Sequence, residues 1–134
     1  METKQVSKPL KLGYAIIRVS TPKQAEVQHG SLEQQRHMIE RWLERQCANA
    51  DNEYRIVKFI EEDISGRAES LHKRHGMKEL ERAMDRREID FFVAEKVDRI
   101  ARDQIYNLQL VRKADLLGIE IFEVESGRIN LRDR

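Results

Sequence analysis

Apolar residues come along this chain in short blocks separated by polar stretches, and the blocks are of two kinds. Leu12 to Val19 is short and apolar, with β-branched Ile16, Ile17 and Val19 near its end; Arg18 interrupts it there, and Ser20, Thr21 and Pro22 stop it. That pattern predicts a buried strand. Leu32, Met38, Ile39, Trp42, Leu43 and Cys47 recur instead at helical spacing, with Arg36, Glu40, Arg41, Glu44 and Arg45 mostly on the other side. This is the stripe of an amphipathic helix. Ser31-Leu32-Glu33-Gln34 introduces it as a capping box, in which the Ser31 hydroxyl accepts from the Gln34 N–H and Gln34 reaches back.

The rest of the chain repeats the alternation. Ala48 to Glu53 is a turn-rich break, Tyr54 to Ile60 reads as a second strand, and Glu61 to His75 reads as a polar loop containing Gly66. Gly76 opens a short helix with Met77, Leu80 and Met84 on its apolar side, and Ile89 to Ala94 is a third strand. Asp103 leads a longer helix whose apolar residues are Ile105, Leu108, Val111, Leu116 and Leu117, with Gly118 at the C′ position. Ile119 to Val124 is a fourth strand, and Arg128 to Leu131 leaves room for a short fifth. Residues 1–11 read as a flexible tail and residues 12–134 as a single domain. Strands alternating with helices predict an α/β fold: three layers, with a mostly parallel central sheet of four to five strands and helices on both faces. In such sheets function gathers at the carboxyl ends of the strands.

Composition narrows the class. With 134 residues, 40% hydrophobic and 37% charged, the chain has material for one core and no run long enough for a transmembrane helix. A single cysteine excludes a disulfide framework and a multi-cysteine zinc site, and Cys47 reads as core packing. The N-terminal residues lack a signal-peptide core, which points to the cytoplasm. Lys and Arg total 25 against 24 for Asp and Glu, so net charge gives no hint of a nucleic-acid partner.

Three polar clusters fall at the predicted carboxyl ends. In Arg18-Val19-Ser20-Thr21 the arginine and the serine share a strand face. A hydroxyl beside a guanidinium suits attack on a phosphodiester, because the cation stabilises charge on the non-bridging oxygens. A strand-ending turn with a satisfied arginine is the competing reading. In Glu95 to Arg102, a helix start at Asp98 would put Asp98 and Arg102 on one face with Arg99 beside them. Two arginines there could clamp one phosphate by forked hydrogen bonds, whereas a solvated ion pair is the plainer alternative. Asp63-Ile64-Ser65-Gly66 with Arg74-His75-Gly76 offers one more arginine on a loop. His72 and His75 lack the further ligands a metal needs, no histidine completes a serine triad, and no glycine-rich phosphate loop is present.

Together these stretches resemble, in order, the catalytic domain of the serine recombinases, the resolvase/invertase superfamily. Tyr14-Ala-Ile-Ile-Arg18-Val-Ser20-Thr21 resembles the opening strand, and Gln24 with Ser31-Leu-Glu-Gln-Gln35 the segment after it. Asp63 to Gly66 with Arg74-His-Gly76 resembles the mobile loop, and Glu95-Lys-Val-Asp98-Arg99-Ile-Ala-Arg102 the Asp-Arg-x-x-Arg motif. The likeness covers about Gly13 to Leu131 and implies a resolvase-like fold. It implies Ser20 as a nucleophile that forms a 5′-phosphoserine bond with DNA, followed by strand exchange and religation. Arg18, Arg74, Arg99 and Arg102 would bind the phosphate, Asp98 would orient an arginine or assist proton transfer, and Gln24 and Gln35 would support them. It implies no metal or other cofactor, DNA as partner, and self-association from dimer to tetramer. Ala101 stands where the family often has serine or glycine, and the connection from Ala25 to Gly30 is long. The family's interface helix and DNA-binding domain would follow Arg134, so the expectation is a catalytic fragment with weak DNA affinity and little activity of its own. A non-catalytic assembly or regulatory domain is the alternative within the family, and a flavodoxin-like nucleotide-binding domain the alternative outside it.

Overall fold

The computed structural model describes residues 8–19, 32–63, 75–97, 100 and 103–129. Strand β1 (Leu10–Val19) is followed by α1 (Leu32–Asn49), β2 (Glu53–Asp63), α2 (His75–Asp85), β3 (Phe91–Ala94), α3 (Gln104–Leu117), β4 (Glu120–Glu123) and β5 (Gly127–Ile129). The sheet order is β2-β1-β3-β4-β5. All neighbours run parallel except β4 and β5, which form an antiparallel edge.

β1 and β2 both run further than the sequence pattern predicts, and backbone pairing explains both. β1 begins at Leu10 because Leu10 pairs with Glu53 and the Glu53 N–H donates to the Pro9 carbonyl at 2.9 Å. Leu10 and Lys11, expected in the tail, are therefore in the sheet. β2 runs past Ile60 to Asp63 through a polar stretch expected to be a loop, because Ile17, Arg18 and Val19 pair with Glu61, Glu62 and Asp63. A strand neighbour satisfies backbone groups whatever the side chains are.

The two faces of the sheet carry separate cores. Ala15, Ile17, Phe91, Val93, Phe122 and Val124 pack against α1 through Ile39 and Trp42. Ile16, Phe92, Ala94 and Ile121 pack against α2 through Met77, Leu80 and Met84, and against α3 through Leu110, Val111 and Ala114. The result is three layers, with one helix on one face and two on the other. On the α1 face, Phe91 lies over Gly13 of the neighbouring strand: a Cβ on Gly13 would sit 2.4 Å from the ring. Trp42, Tyr54 and Phe122 surround that ring at centroid separations of 6.2, 5.1 and 6.0 Å.

The register of β1 on β2 shifts at the same place. Gly13 pairs with Ile56 but Tyr14 pairs with Lys58, which leaves Val57 unpaired and 51% exposed. The extra residue reverses the side-chain alternation of β2. Tyr54 and Ile56 therefore share the α1 core with Phe59, while Ile60 joins the opposite core.

Helix α3 begins and ends as its sequence requires. Asp103 caps it by accepting from the N–H groups of Ile105 and Tyr106, and Gly118 closes it in the left-handed conformation at φ 74°. Its buried face departs from expectation. Asn107, Leu110, Val111 and Ala114 point inward, whereas Ile105, Leu108 and Leu116 are 68, 58 and 81% exposed. Both sets are spaced helically, so periodicity alone did not choose between them.

At the amino end of the sheet, Glu120 gathers partners from three other strands. It accepts from Lys11 Nζ and from the Tyr54 hydroxyl, each at 2.9 Å, and pairs with Arg128 at 3.3 Å. On the other face Lys113 of α3 bridges Glu81 and Asp85 of α2 at 3.2 and 2.9 Å. Burial raises the Tyr54 pKa and the Glu120 hydrogen bond adds to it. Burial would lower the pKa of both lysines, but their carboxylate partners outweigh it and leave both raised.

Two predictions follow from this packing. Gly13→Ala costs about 1–3 kcal/mol in denaturant unfolding, since an inserted methyl must displace a packed ring. The double variant with Phe91→Leu loses less than the two single losses together. The second concerns pH. Tyr54, Lys11 and Lys113 all hold their protons more tightly folded than unfolded. Their contribution is therefore complete at neutral pH and lost as pH rises through the raised values, so the thermal midpoint falls above about pH 10.

Candidate active site

The parallel ladder fixes which strand ends lie side by side. From β1 the chain crosses by α1 to β2 on one side; from β2 it returns by α2, on the opposite face, to β3 on the other side of β1. The crevice between the carboxyl ends of β1 and β3 is thus the point where the connections change direction, the usual ligand position in an open α/β sheet. Ser20 follows directly on Val19 at the end of β1, and Glu95 directly on Ala94 at the end of β3. The first and third clusters therefore issue from the two strands that flank the crevice. β1 pairs with β3 only as far as Ile16 with Ala94, so β1 runs three residues, Ile17, Arg18 and Val19, past the end of β3.

The sequence-derived residues fall into two groups. Arg18 is described through its backbone, which pairs with Glu62. Gln35 is in the first turn of α1 and only 4% exposed, a buried polar group near the end of the Ser31–Gln35 motif. Ser20, Gln24, Arg74, Asp98, Arg99 and Arg102 lie outside the described residues. The described residues that flank Asp98 and Arg99 are buried. Val97 and Ile100, on either side of Asp98 and Arg99, are 7% and 1% exposed and belong to the core shared by α2 and α3. The Ile100 N–H donates to the Val97 carbonyl at 3.0 Å. Arg102 directly precedes Asp103, the cap of α3, and Arg74 directly precedes His75, the first residue of α2.

A cleft of about 680 Å³ opens beside this edge, lined among others by Lys96, Val97, Gln104, Asn107, Glu123 and Ser126. Sequence reasoning missed one residue in its wall. Glu123, the last residue of β4, accepts the Val97 N–H at 2.8 Å. The available signal was a carboxylate at the carboxyl end of a strand whose central residues are apolar. Among the described residues no group of three or more His, Cys, Asp or Glu side chains could hold a metal ion, and no helix is long and apolar enough to cross a membrane.

Known proteins share this fold. Residues 13–134 match the family described as Resolvase, N terminal domain. Among solved structures, the N-terminal catalytic domain of TP901-1 integrase superposes with a TM-score of 0.68 at 20% identity, covering 87% of this chain and 80% of that one. The C-terminal catalytic domain of ISC1926 TnpA, an IS607-like serine recombinase, gives 0.64 at 20% identity, covering 84% of this chain and 68% of that one. A resolvase family site-specific recombinase from Streptococcus pneumoniae gives 0.62 at 20% identity, covering 92% and 78%. Among curated proteins none matches the chain.

Proposed function

The chain belongs to the resolvase N-terminal domain family, the catalytic domain of site-specific recombinases, and from that premise we propose that it cleaves and rejoins DNA through Ser20. The observation that carries the reading is the strand register: β1, which leads into Ser20, is paired with β3, which leads into Asp98, Arg99 and Arg102, at the crevice where the connections change direction.

In this reading the Ser20 oxygen attacks the phosphorus of a DNA phosphodiester. The oxygen–phosphorus bond to serine forms as the bond to the 3′-oxygen breaks. The serine proton leaves to a base, the departing 3′-oxygen takes up a proton, and a 5′-phosphoserine and a 3′-hydroxyl remain. Serine is a poor nucleophile without activation, and an anionic phosphate repels it further. Arg18, Arg74, Arg99 and Arg102 address that barrier by neutralising the phosphate oxygens, and a planar fork suits the task better than a lysine. Asp98 orients an arginine or assists proton transfer, with Gln24 and the buried Gln35 as support. The covalent bond conserves the energy of the phosphodiester, so religation by the 3′-hydroxyl of an exchanged strand needs neither metal nor nucleotide. DNA is the partner, and exchange takes place within dimers that join into tetramers.

The test uses duplex DNA from the flanks of the protein's own gene, at high protein concentration. Wild type forms a covalent adduct that survives denaturing electrophoresis and exposes 3′-hydroxyl ends. Ser20→Ala forms none while keeping the wild-type melting temperature. Arg99→Lys slows adduct formation by ~100- to 1,000-fold, the usual cost of one well-placed donor. An undiminished adduct in Ser20→Ala removes Ser20 as nucleophile, and near-normal cleavage by Arg99→Lys removes Arg99 from the site.

A further inference from the structure

Resting on the recombinase reading of this edge, we propose that Glu123 is a positioning residue that sets the segment carrying Asp98 and Arg99 through the backbone of Val97.

Glu123 ends β4, beside the end of β3, and pairs there with Ala94. The next rung of the ladder is still made, with the Val124 N–H donating to the Ala94 carbonyl at 3.1 Å. Beyond it the chain leaving β3 is held by a side chain. Glu123 Oε2 accepts the Val97 N–H at 2.8 Å, and Oε1 accepts the Ser126 hydroxyl at 2.5 Å. The carboxylate is partly buried at the wall of the 680 Å³ cleft. Desolvating a charge there is costly unless donors compensate it, and these two donors do so. A hydrogen bond to an ionised acceptor is about twice as strong as one between neutral groups, so Val97 is held firmly.

Val97 is the last described residue before Asp98 and Arg99, and its carbonyl takes the N–H of Ile100, the next described residue. Glu123, itself held by Ser126, thus anchors the residue before Asp98 and Arg99, and the residues on both sides of them, Val97 and Ile100, are buried. Forked recognition of a phosphate by Arg99 tolerates little displacement. A shift of about 1 Å in a reacting arrangement costs up to ~100-fold in rate. A strand-end carboxylate that merely satisfied an amide for stability would affect melting and nothing else, which gives the experiment its contrast.

The experiment uses the full 134-residue chain with Glu123→Met, which keeps the length and removes the acceptors, and Glu123→Gln, which keeps one acceptor. Hydrogen exchange of the Val97 amide is followed by NMR. The rate of adduct formation at saturating DNA and the affinity for the same gene-flanking duplex are measured in parallel. In Glu123→Met the Val97 amide exchanges faster and the adduct forms ~10- to 100-fold more slowly, with DNA affinity unchanged. Glu123→Gln restores most of both. The proposal is overturned by unchanged Val97 exchange or an unchanged rate in Glu123→Met, or by a Glu123→Gln variant as impaired as Glu123→Met. A wild-type chain that forms no adduct brings down the recombinase reading instead, and Val97 exchange alone then decides whether Glu123 holds the segment.

Discussion

Gly13 has no side chain, and the ring of Phe91 uses the space. The two residues are direct partners in the β1–β3 ladder, so the contact sits inside the pairing that aligns the two strands. The ring in turn is the hub of an aromatic group with Trp42 from α1, Tyr54 from β2 and Phe122 from β4. Four elements take their spacing from one buried ring lying flat on a glycine. Anything larger at position 13 would push the ring into that group, because a close-packed interior has no spare volume to receive it. The pair so aligned is the one whose carboxyl ends flank the candidate crevice. Packing near the amino end of the sheet thereby sets the relative height of the strand ends at Val19 and Ala94, some residues away.

The register shift next to Gly13 does a second job. With Val57 pushed out, β2 presents Tyr54 to the aromatic group and, further along, Ile60 to the opposite core. A regular strand would place residues 54 and 60 on the same face, since alternation has a period of two. The bulge also turns Phe59 and Glu61 towards α1, where Arg36 lies over the Phe59 ring at 4.4 Å and pairs with Glu61 at 3.7 Å. Lys58 turns the other way and pairs with Glu79 of α2. One unpaired residue thus lets a single edge strand serve both helix layers.

Much of this was legible in the chain itself. The alternation of strands and helices, the Asp103 cap, the Gly118 terminus and the ordered motifs all rest on local chemistry that a sequence displays directly. What was hidden depends on neighbours distant in sequence. Nothing local marks Val57 as a bulge or Gly13 as a seat for Phe91, seventy-eight residues away. α3 has two apolar stripes, and only its packing on α2 and β4 decides that Leu110 and Val111 go inward while Ile105 and Leu108 stay out. Glu120 and Glu123 stand in a strand by sequence alone, yet each is an acceptor for groups from other elements. The motif residues were legible by type and order, and the described elements show only which strand or helix each of them adjoins in sequence: Ser20 follows β1, Arg74 precedes α2, Asp98 and Arg99 follow β3, and Arg102 precedes the cap of α3.

The balance of 25 cations against 24 anions also takes on a different meaning once the pairs are placed. Lys11 and Arg128 meet Glu120, Lys113 meets Glu81 and Asp85, Lys58 meets Glu79, and Arg36 meets Glu61. These pairs join strand to strand, helix to helix and helix to sheet, so acid and base cancel where elements dock. Such pairs are short-ranged and, in salt, invisible beyond about 10 Å. They put five cations and five anions into the sum without adding to the potential at the carboxyl edge. An active site for a single phosphate needs only a few arginines within bonding distance of it, and a chain can supply them at zero net charge if its remaining ions are spent on its own architecture. Total charge therefore does not decide the partner, which must be read from the loops at the strand ends.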